Sequence, residues 1–127
     1  MVIAAVRDLE PHQRARLDAS ELLVVPGDVD PDHLARSLDE LRGRVGRVYL
    51  HVDVDALDTS EGLANQYAAP GGSSLDAYRA GIAVFARFAV AAAGITAWDP
   101  TFDVDGRVAD AVRRLADDIA AHAPAGR

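Results

Sequence analysis

The stretch Tyr49-Leu50-His51-Val52-Asp53-Val54-Asp55-Ala56-Leu57-Asp58 is an apolar strand that ends on two carboxylates two residues apart. Side chains alternate between the two faces of a strand, so His51, Asp53 and Asp55 are predicted to point to one side. Like charges held together are costly unless a cation or hydrogen-bond donors neutralise them. The segment is therefore a candidate metal site with Asp53 and Asp55 as its ligands.

The residues around this pair leave alternatives open. Oxygen ligands suit Mg²⁺ or Mn²⁺, whereas a histidine ligand shifts the preference toward a transition metal. His51 is either such a ligand or a core histidine bonded to the backbone, and we favour the second. The two acids either hold a metal or cap the segment that follows the strand. Asp58 either supports the metal ligands by hydrogen bonding or only stabilises its turn.

Apolar strands alternate with helices along the rest of the chain. The predicted strands are Val2–Val6, Leu22–Val25, Val48–Val54 and Ile95–Trp98, and the predicted helices run from Pro11 to Ala19, from Pro31 to about Gly43, from Leu75 to Ala93 and from Gly106 to His122. This order predicts right-handed βαβ units, a mostly parallel sheet and a three-layer α/β/α arrangement in a single domain, residues 1–127. Ligands of such folds bind at the carboxyl ends of strands, where Asp8 and Asp99 are also expected.

Composition excludes several classes of function. The net charge of −7 argues against nucleic acid and anionic membranes as partners. The absence of cysteine and lysine excludes a thiol metal site and a lysine Schiff base.

Residues 80–98 are apolar except for Arg87, and a buried helix followed by a strand explains them better than a membrane span. The N-terminus lacks the features of a secretory signal, so we expect a cytoplasmic protein.

Other acidic residues are better explained as helix caps. Asp28-Val29-Asp30-Pro31-Asp32-His33 begins like a calcium loop but lacks the glycine and the closing glutamate of that loop. Asp30 is instead the predicted cap of the helix that follows. Asp99, Asp103 and Asp105 follow the last strand. Asp105 is the predicted cap of the final helix, whereas Asp99 can reach the site.

The order of motifs resembles the C-terminal part of the ureohydrolase family, which includes arginase, agmatinase and formimidoylglutamase. Family members carry S-x-D-x-D-x-x-D-P on a strand, a loop leading to P-G-G, a helix, and a strand ending E-x-N-P. The similar stretches here are residues 51–59, Pro70-Gly71-Gly72 and Ala97-Trp98-Asp99-Pro100, and Ala5-Val6-Arg7-Asp8 is similar to a family strand ending in Arg-Asp. The resemblance implies a partial arginase-like fold.

The resemblance also implies a binuclear manganese centre, whose metals activate a bridging hydroxide for attack on a guanidinium or amidine carbon. Asp53 and Asp55 match two metal-ligating aspartates, and no other ligand or catalytic residue can be carried over. The family motifs G-G-D-H and D-A-H-x-D, which supply the other ligands and a proton-shuttling histidine, have no match in this sequence. Ala97 stands where the family has a glutamate that holds the substrate's guanidinium.

Two functions are compatible with this resemblance. One is a manganese-dependent C–N hydrolase-like protein that is truncated or split and inactive alone; an active form would bind a small guanidino or amidine compound. The other is a degenerate, non-catalytic member that acts as a binding or oligomerisation module. In the family the matched strands form two pairs with a strand of the missing half between them. We therefore expect either a slot in the sheet or a re-pairing of these strands, with the open edges covered by a complementary chain or by self-association.

Overall fold

The computed structural model describes residues 1–7, 9–26 and 30–122. Strands and helices alternate along the chain, as the sequence predicts. The strands are β1 (Val2–Val6), β2 (Leu23–Pro26), β3 (Arg47–Asp53) and β4 (Ala89–Thr96). The helices are α1 (Pro11–Asp18), α2 (Pro31–Arg42), α3 (Leu75–Val84) and α4 (Arg107–Ala121), and short 3₁₀ turns cover Val54–Ala56 and Phe85–Arg87.

The strands form two parallel pairs instead of one continuous sheet. β1 pairs with β2 and β3 pairs with β4, and no strand within the described residues joins β1 to β3. Arg7, which follows β1, donates a hydrogen bond to the main-chain oxygen of Asp55 just beyond β3. The carboxyl ends of β1 and β3 therefore lie at the same edge, and a slot separates the two strands, as expected.

Two buried apolar clusters hold the helices against the strands. The cluster beside the β3–β4 pair contains Leu50 and Val52 of β3, together with Ile82 of α3 and Leu115 of α4. The alternating burial along β3 follows from this packing, because every second side chain faces the helices. The opposite face of β3 is exposed, and Tyr49 retains 63% of its accessible surface there.

The second cluster lies beside the β1–β2 pair. Helices pack on both sides of these two strands. Val2 and Ala4 of β1 pack on the side that contains Leu34 and Leu38 of α2. Ile3 and Val6 instead line a hollow with α1 residues such as Leu17. The three-layer α/β/α arrangement is therefore present at this pair.

The boundary between α3 and β4 differs from the prediction. The sequence predicts a helix to Ala93 and a strand from Ile95, but α3 ends at Val84 and β4 already begins at Ala89. Alanine favours helices, yet residues 89–93 pair with β3, so tertiary contacts override local propensity. Gly94 therefore lies inside a strand, where a Cβ would lie 2.6 Å from the hydroxyl oxygen of Tyr49.

The predicted helix caps are present, and the structure adds one that the prediction missed. Asp30 caps α2 by accepting a hydrogen bond from the Asp32 amide at 3.0 Å. Asp105 accepts a hydrogen bond from the amide of Arg107, the first residue of α4, at 3.3 Å, as predicted, and the buried Asp103 carboxylate accepts from the next two amides, those of Val108 and Ala109, at 3.0 and 2.7 Å. The prediction missed Asp103, which lies three residues before Gly106, and Asp105 also accepts a hydrogen bond from the Arg107 side chain at 2.7 Å.

Some predictions concern parts of the chain that are not described. Asp8, the start of the calcium-like stretch at residues 28–29, and the tail after His122 lie outside the described residues. Residues 80–98 form the end of α3, a 3₁₀ turn and β4. None of the helices in the described ranges is long and apolar enough to cross a membrane.

Candidate metal centre

The chain turns sharply at the carboxyl edge of β3, between the two predicted ligands. Asp53 is the last residue of β3, and Asp55 lies in the 3₁₀ turn that follows. Asp53 Oδ1 accepts a hydrogen bond from the Asp55 amide at 2.9 Å, which stabilises the turn. The prediction that Asp55 continues the alternation of the strand is therefore wrong, although both carboxylates line the same cleft.

Asp55 has an unsatisfied carboxylate. Its side chain is half-buried, and Oδ1 is buried without a hydrogen-bond partner among the described residues. A buried carboxylate oxygen without a donor is costly, and a bound cation would remove that cost. This atom is therefore the feature of the site that best fits a metal ligand.

The main chain at both acids is held by side chains from other elements. Tyr78 of α3 donates its hydroxyl to the main-chain oxygen of Asp53 at 2.8 Å. Burial, with a smaller effect from the charge of Asp53, raises the pKa of Tyr78 to about 12, so the hydroxyl keeps its proton at neutral pH. Arg7 holds the main-chain oxygen of Asp55 in the same way.

His51 lies on the open face of β3, beside β4. Its side chain is exposed, and its Nε2 lies 3.1 Å from the Thr96 hydroxyl. The ring of Tyr49 is its other neighbour, with ring centroids 6.4 Å apart. The interpretation of His51 as a core histidine bonded to the backbone is therefore wrong, and the ring borders the same cleft as Asp53 and Asp55.

Asp58 organises the loop that follows the site. Its carboxylate accepts hydrogen bonds from the amides of Ser60, Gly71 and Gly72. These bonds, led by those from Ser60, hold the pKa of Asp58 at about 2, against an ordinary value of 3.8. The turn interpretation of Asp58 is confirmed, and its carboxylate ties the start of the loop to the Gly71-Gly72 pair.

Asp99 and Ala97 lie after β4. Asp99 accepts hydrogen bonds from the amide and hydroxyl of Thr101, and these lower its pKa. Neither Asp99 nor Asp58 is among the residues that line the cleft beside Asp53. Ala97 is exposed and has a left-handed backbone with φ of 69°, and its carbonyl accepts a hydrogen bond from Asn65.

The cleft is the slot between the two pairs of strands. It encloses about 650 Å³ and is lined by Met1–Arg7 on one side and by His51, Asp53 and Asp55 on the other. The predicted ligands therefore meet the end of β1 at one opening. The prediction missed the two groups that hold them, Arg7 and Tyr78; the only sequence signal for Arg7 was its place in the family-like Arg-Asp pair.

The donor set fits part of a metal site. Two carboxylates border the cleft, and one has an oxygen that lacks a donor, which suits a hard divalent cation. No group of three or more His, Cys, Asp or Glu side chains arranged to hold a metal occurs in the ranges that the structure describes. Asp53 and Asp55 therefore fit a partial ligand set that needs further ligands from elsewhere.

Comparison with known proteins agrees with this geometry. The model of the Arginase family matches residues 1–122. Among solved structures, arginase from Bacillus subtilis is 19% identical with a TM-score of 0.80, and the match covers 93% of this chain and 43% of that one. Arginase from Helicobacter pylori is 17% identical with a TM-score of 0.85, covering 98% of this chain and 43% of that one.

Formimidoylglutamase from Bacillus subtilis is also similar, with 18% identity and a TM-score of 0.82 over 98% of this chain and 42% of that one. No curated protein sequence matches the chain. The chain thus spans less than half the length of these structural relatives and has a partial arginase-like α/β fold. Because the family model matches nearly the whole sequence, the chain belongs to the arginase family.

Proposed function

We propose that this chain is part of a manganese-dependent C–N hydrolase and is inactive by itself. The observation that carries the proposal is the buried, unpartnered Oδ1 of Asp55 at the carboxyl edge of β3, beside Asp53. A bound cation would offset the cost of burying this carboxylate oxygen without a hydrogen-bond donor. Membership of the arginase family supports manganese as that cation.

In this proposal Asp53 and Asp55 each offer a carboxylate to Mn²⁺. When bound, the metal supplies a hydroxide nucleophile at neutral pH and stabilises the charge that develops on the reacting group. Arg7 and Tyr78 are positioning residues, because they bond the main-chain oxygens of Asp55 and Asp53 and restrict where the carboxylates can point. The compound hydrolysed would be a small guanidino or amidine molecule.

Inactivity of the isolated chain follows from the shortage of ligands. The described residues offer two carboxylates at the cleft and no third converging ligand, whereas a catalytic metal usually has three protein ligands. The structural relatives are more than twice as long, so the remaining ligands would come from a complementary segment of polypeptide. A homo-oligomer is the alternative source of added residues.

A second candidate function is a non-catalytic binding or oligomerisation module. The residue that favours it is Ala97, which follows β4 and is exposed. Its side chain is only a methyl group, whereas the family motif has the substrate-binding glutamate at this position. A methyl group cannot pair with a guanidinium. The retained acids at Asp53 and Asp55 favour the hydrolase-like proposal instead.

Calorimetric titration of the purified chain with Mn²⁺ tests the metal site. We expect weak binding that disappears when Asp53→Asn and Asp55→Asn are combined. Asp117→Asn, at an exposed position on α4, is the matched control and should bind as the parent does. Equal Mn²⁺ affinity of the parent and the double variant would show that the site is wrong.

Inactivity is tested separately with arginine and agmatine. The chain with Mn²⁺ should release no more urea than a metal-free sample. Release above that control would contradict the proposal that the chain is inactive alone.

A further inference from the structure

The strand β1 contains a residue with a strained backbone, Ala5. Its φ is 57°, in the left-handed region that residues other than glycine avoid because the Cβ comes too close to the following carbonyl oxygen. Among the residues that the structure describes, Ala97 is the other non-glycine residue with a positive φ. Such a conformation persists only where the surrounding structure imposes it, so the place of Ala5 in the fold is informative.

The parallel ladder between β1 and β2 is interrupted at Ala5. Ala4 pairs with Val25 and Val6 pairs with Pro26, the next residue of β2, so Ala5 is an extra residue without a partner across the ladder. This irregularity is a β-bulge, which is rare in parallel pairs. Because side chains alternate with a period of two, one extra residue moves every later side chain of the strand to the other face.

The packing of β1 shows this reversal. Before the bulge, Val2 and Ala4 pack on the cluster beside α2, and Ile3 lines the hollow beside α1. Unbroken alternation would place Val6 with Val2 and Ala4, and Arg7 with Ile3. Val6 instead lines the hollow together with Ile3, so Arg7 follows on the side of Val2 and Ala4.

The contacts of Arg7 depend on this reversal. Tyr78 of α3, which holds the main-chain oxygen of Asp53, packs on the same cluster beside α2. The guanidinium of Arg7 points toward this part of the molecule and donates to the main-chain oxygens of Asp55 and Ala69. A side chain on the α1 side would leave β1 on the opposite face and would not make these bonds.

We infer that Ala5 is a positioning residue: its left-handed bulge aims Arg7 at the main chain of Asp55 and so fixes the place of the Asp55 carboxylate in the cleft. The strained alanine is retained for this geometry and not for stability, as is common for strained backbone at functional sites. The role of Asp55 as a metal ligand rests on the proposed function, whereas the coupling of Ala5 to Arg7 does not require a metal.

A double-mutant cycle tests whether the bulge aims Arg7. Deletion of Ala5 from the full chain makes Val6 follow Ala4 directly and returns Arg7 to the α1 side. In the parent chain Arg7→Met should lower the equilibrium constant for folding roughly fivefold or more, because a charged donor is lost. In the Ala5-deleted chain the same substitution should lower it less than about twofold, as measured by urea denaturation. Equal losses in the two chains would overturn the inference.

The strain at Ala5 is tested by a matched pair of glycine substitutions in β1. Ala5→Gly should raise the equilibrium constant for folding roughly two- to fivefold, because glycine adopts a positive φ without strain. Ala4→Gly, at a neighbouring position without a positive φ, should lower it by a similar factor. Equal losses in both variants would overturn the inference. This pair also decides the matter if the Ala5-deleted chain does not fold, as judged by amide exchange in α4.

Calorimetric titration with Mn²⁺ separates positioning of the ligand from stability alone. Deletion of Ala5 and Arg7→Met should each weaken Mn²⁺ binding roughly tenfold, whereas Ala5→Gly, which keeps the bulge, should bind as the parent does. A folded Ala5-deleted chain with the affinity of the parent would overturn the inference. A parent that binds no Mn²⁺ would contradict the proposed function, and the coupling between Ala5 and Arg7 would then decide the inference by itself.

Discussion

The guanidinium of Arg7 donates a hydrogen bond to the main-chain oxygen of Asp55 across the slot between β1 and β3. The same side chain donates to the main-chain oxygens of Ala69 and Pro70, in the loop before α3. It therefore connects two pairs of strands that share no ladder, at the point where the candidate metal ligand lies. The position of Asp55 depends on a residue nearly fifty positions earlier in the chain.

Replacing Arg7 should destabilise the protein. In Arg7→Met the apolar stem remains but three main-chain oxygens lose a charged donor, so we expect a loss of about 1–3 kcal/mol in the free energy of unfolding. Urea denaturation measures this loss. Arg36→Met, at an exposed position on α2, is the matched control and should cost less than about 0.5 kcal/mol. Equal stability of the two variants would contradict the proposed role of Arg7.

Gly72 is predicted to tolerate no side chain. A Cβ at this position would lie 2.5 Å from the Asp58 amide nitrogen and 2.6 Å from the Leu57 carbonyl oxygen, and neither backbone atom can move freely because Leu57 bridges Ser73. Gly72→Ala should therefore lower the free energy of unfolding by about 1–3 kcal/mol. Thermal and urea denaturation would both report the change.

Gly46→Ala is the control for this prediction. Nothing lies within 4 Å of a Cβ at Gly46, so the substitution should change stability by less than about 0.5 kcal/mol. If Gly72→Ala were as stable as Gly46→Ala, the close packing of the loop against residues 57–58 would be incorrect.

Local signals were sufficient to predict most of the elements. The apolar run of β1, the cap Asp30 with Pro31 at the start of α2, and the helical spacing of apolar residues in α4 all predict elements that the structure contains. These signals work because caps and periodicity depend on neighbouring residues. The parallel pairing was predictable from the alternation of strands and helices.

The start of β4 was not predictable in this way. Residues 89–93 are mostly alanine, and in isolation they favour a helix that continues α3. Their strand conformation depends on pairing with Arg47–Leu50, about forty residues earlier. Non-local pairing of this kind leaves no mark in local composition, so the prediction was wrong by about six residues at this boundary.

In the candidate site, too, some features were predictable from neighbouring residues and others depend on distant contacts. The presence of Asp53 and Asp55 at a strand end was readable from the sequence, since both follow an apolar run. The end of β3 at Asp53 was not predictable from the sequence, because it depends on the hydrogen bond that the Asp55 amide donates to the Asp53 carboxylate. The contacts of Tyr78 and Arg7 were also not predictable, since both residues come from other elements that only folding brings to the site.

Asp58 should make the free energy of unfolding depend on pH in the acidic range. Its folded-state pKa of about 2 lies below the ordinary 3.8, so the fold favours the ionised carboxylate. The stabilisation is fully present above the ordinary pKa and is lost as the pH falls through about 2. Asp58→Asn should therefore be less stable than the parent at neutral pH, and this difference should shrink between pH 4 and pH 2, roughly, in urea denaturation series.

Asp117→Asn, on the exposed side of α4, is the control for this pH series and should follow the parent chain. A difference between Asp58→Asn and the parent that stays constant down to about pH 2 would mean that the carboxylate is not held ionised by the loop amides.

The ion pair between Arg79 of α3 and Asp118 of α4 should contribute a small, salt-dependent coupling. It is bidentate, with Nε–Oδ2 at 2.6 Å and Nη2–Oδ1 at 3.0 Å, and the hydrogen bonds from Arg79 lower the pKa of Asp118. Because Arg79 is 40% exposed, we expect only a small coupling energy, which falls as salt rises. A double-mutant cycle of Arg79→Met and Asp118→Asn measures it by urea denaturation. The single 3.2 Å contact between Arg87 and Asp39 is the matched comparison, and a coupling there as large as that of Arg79 with Asp118 would show that bidentate geometry adds nothing.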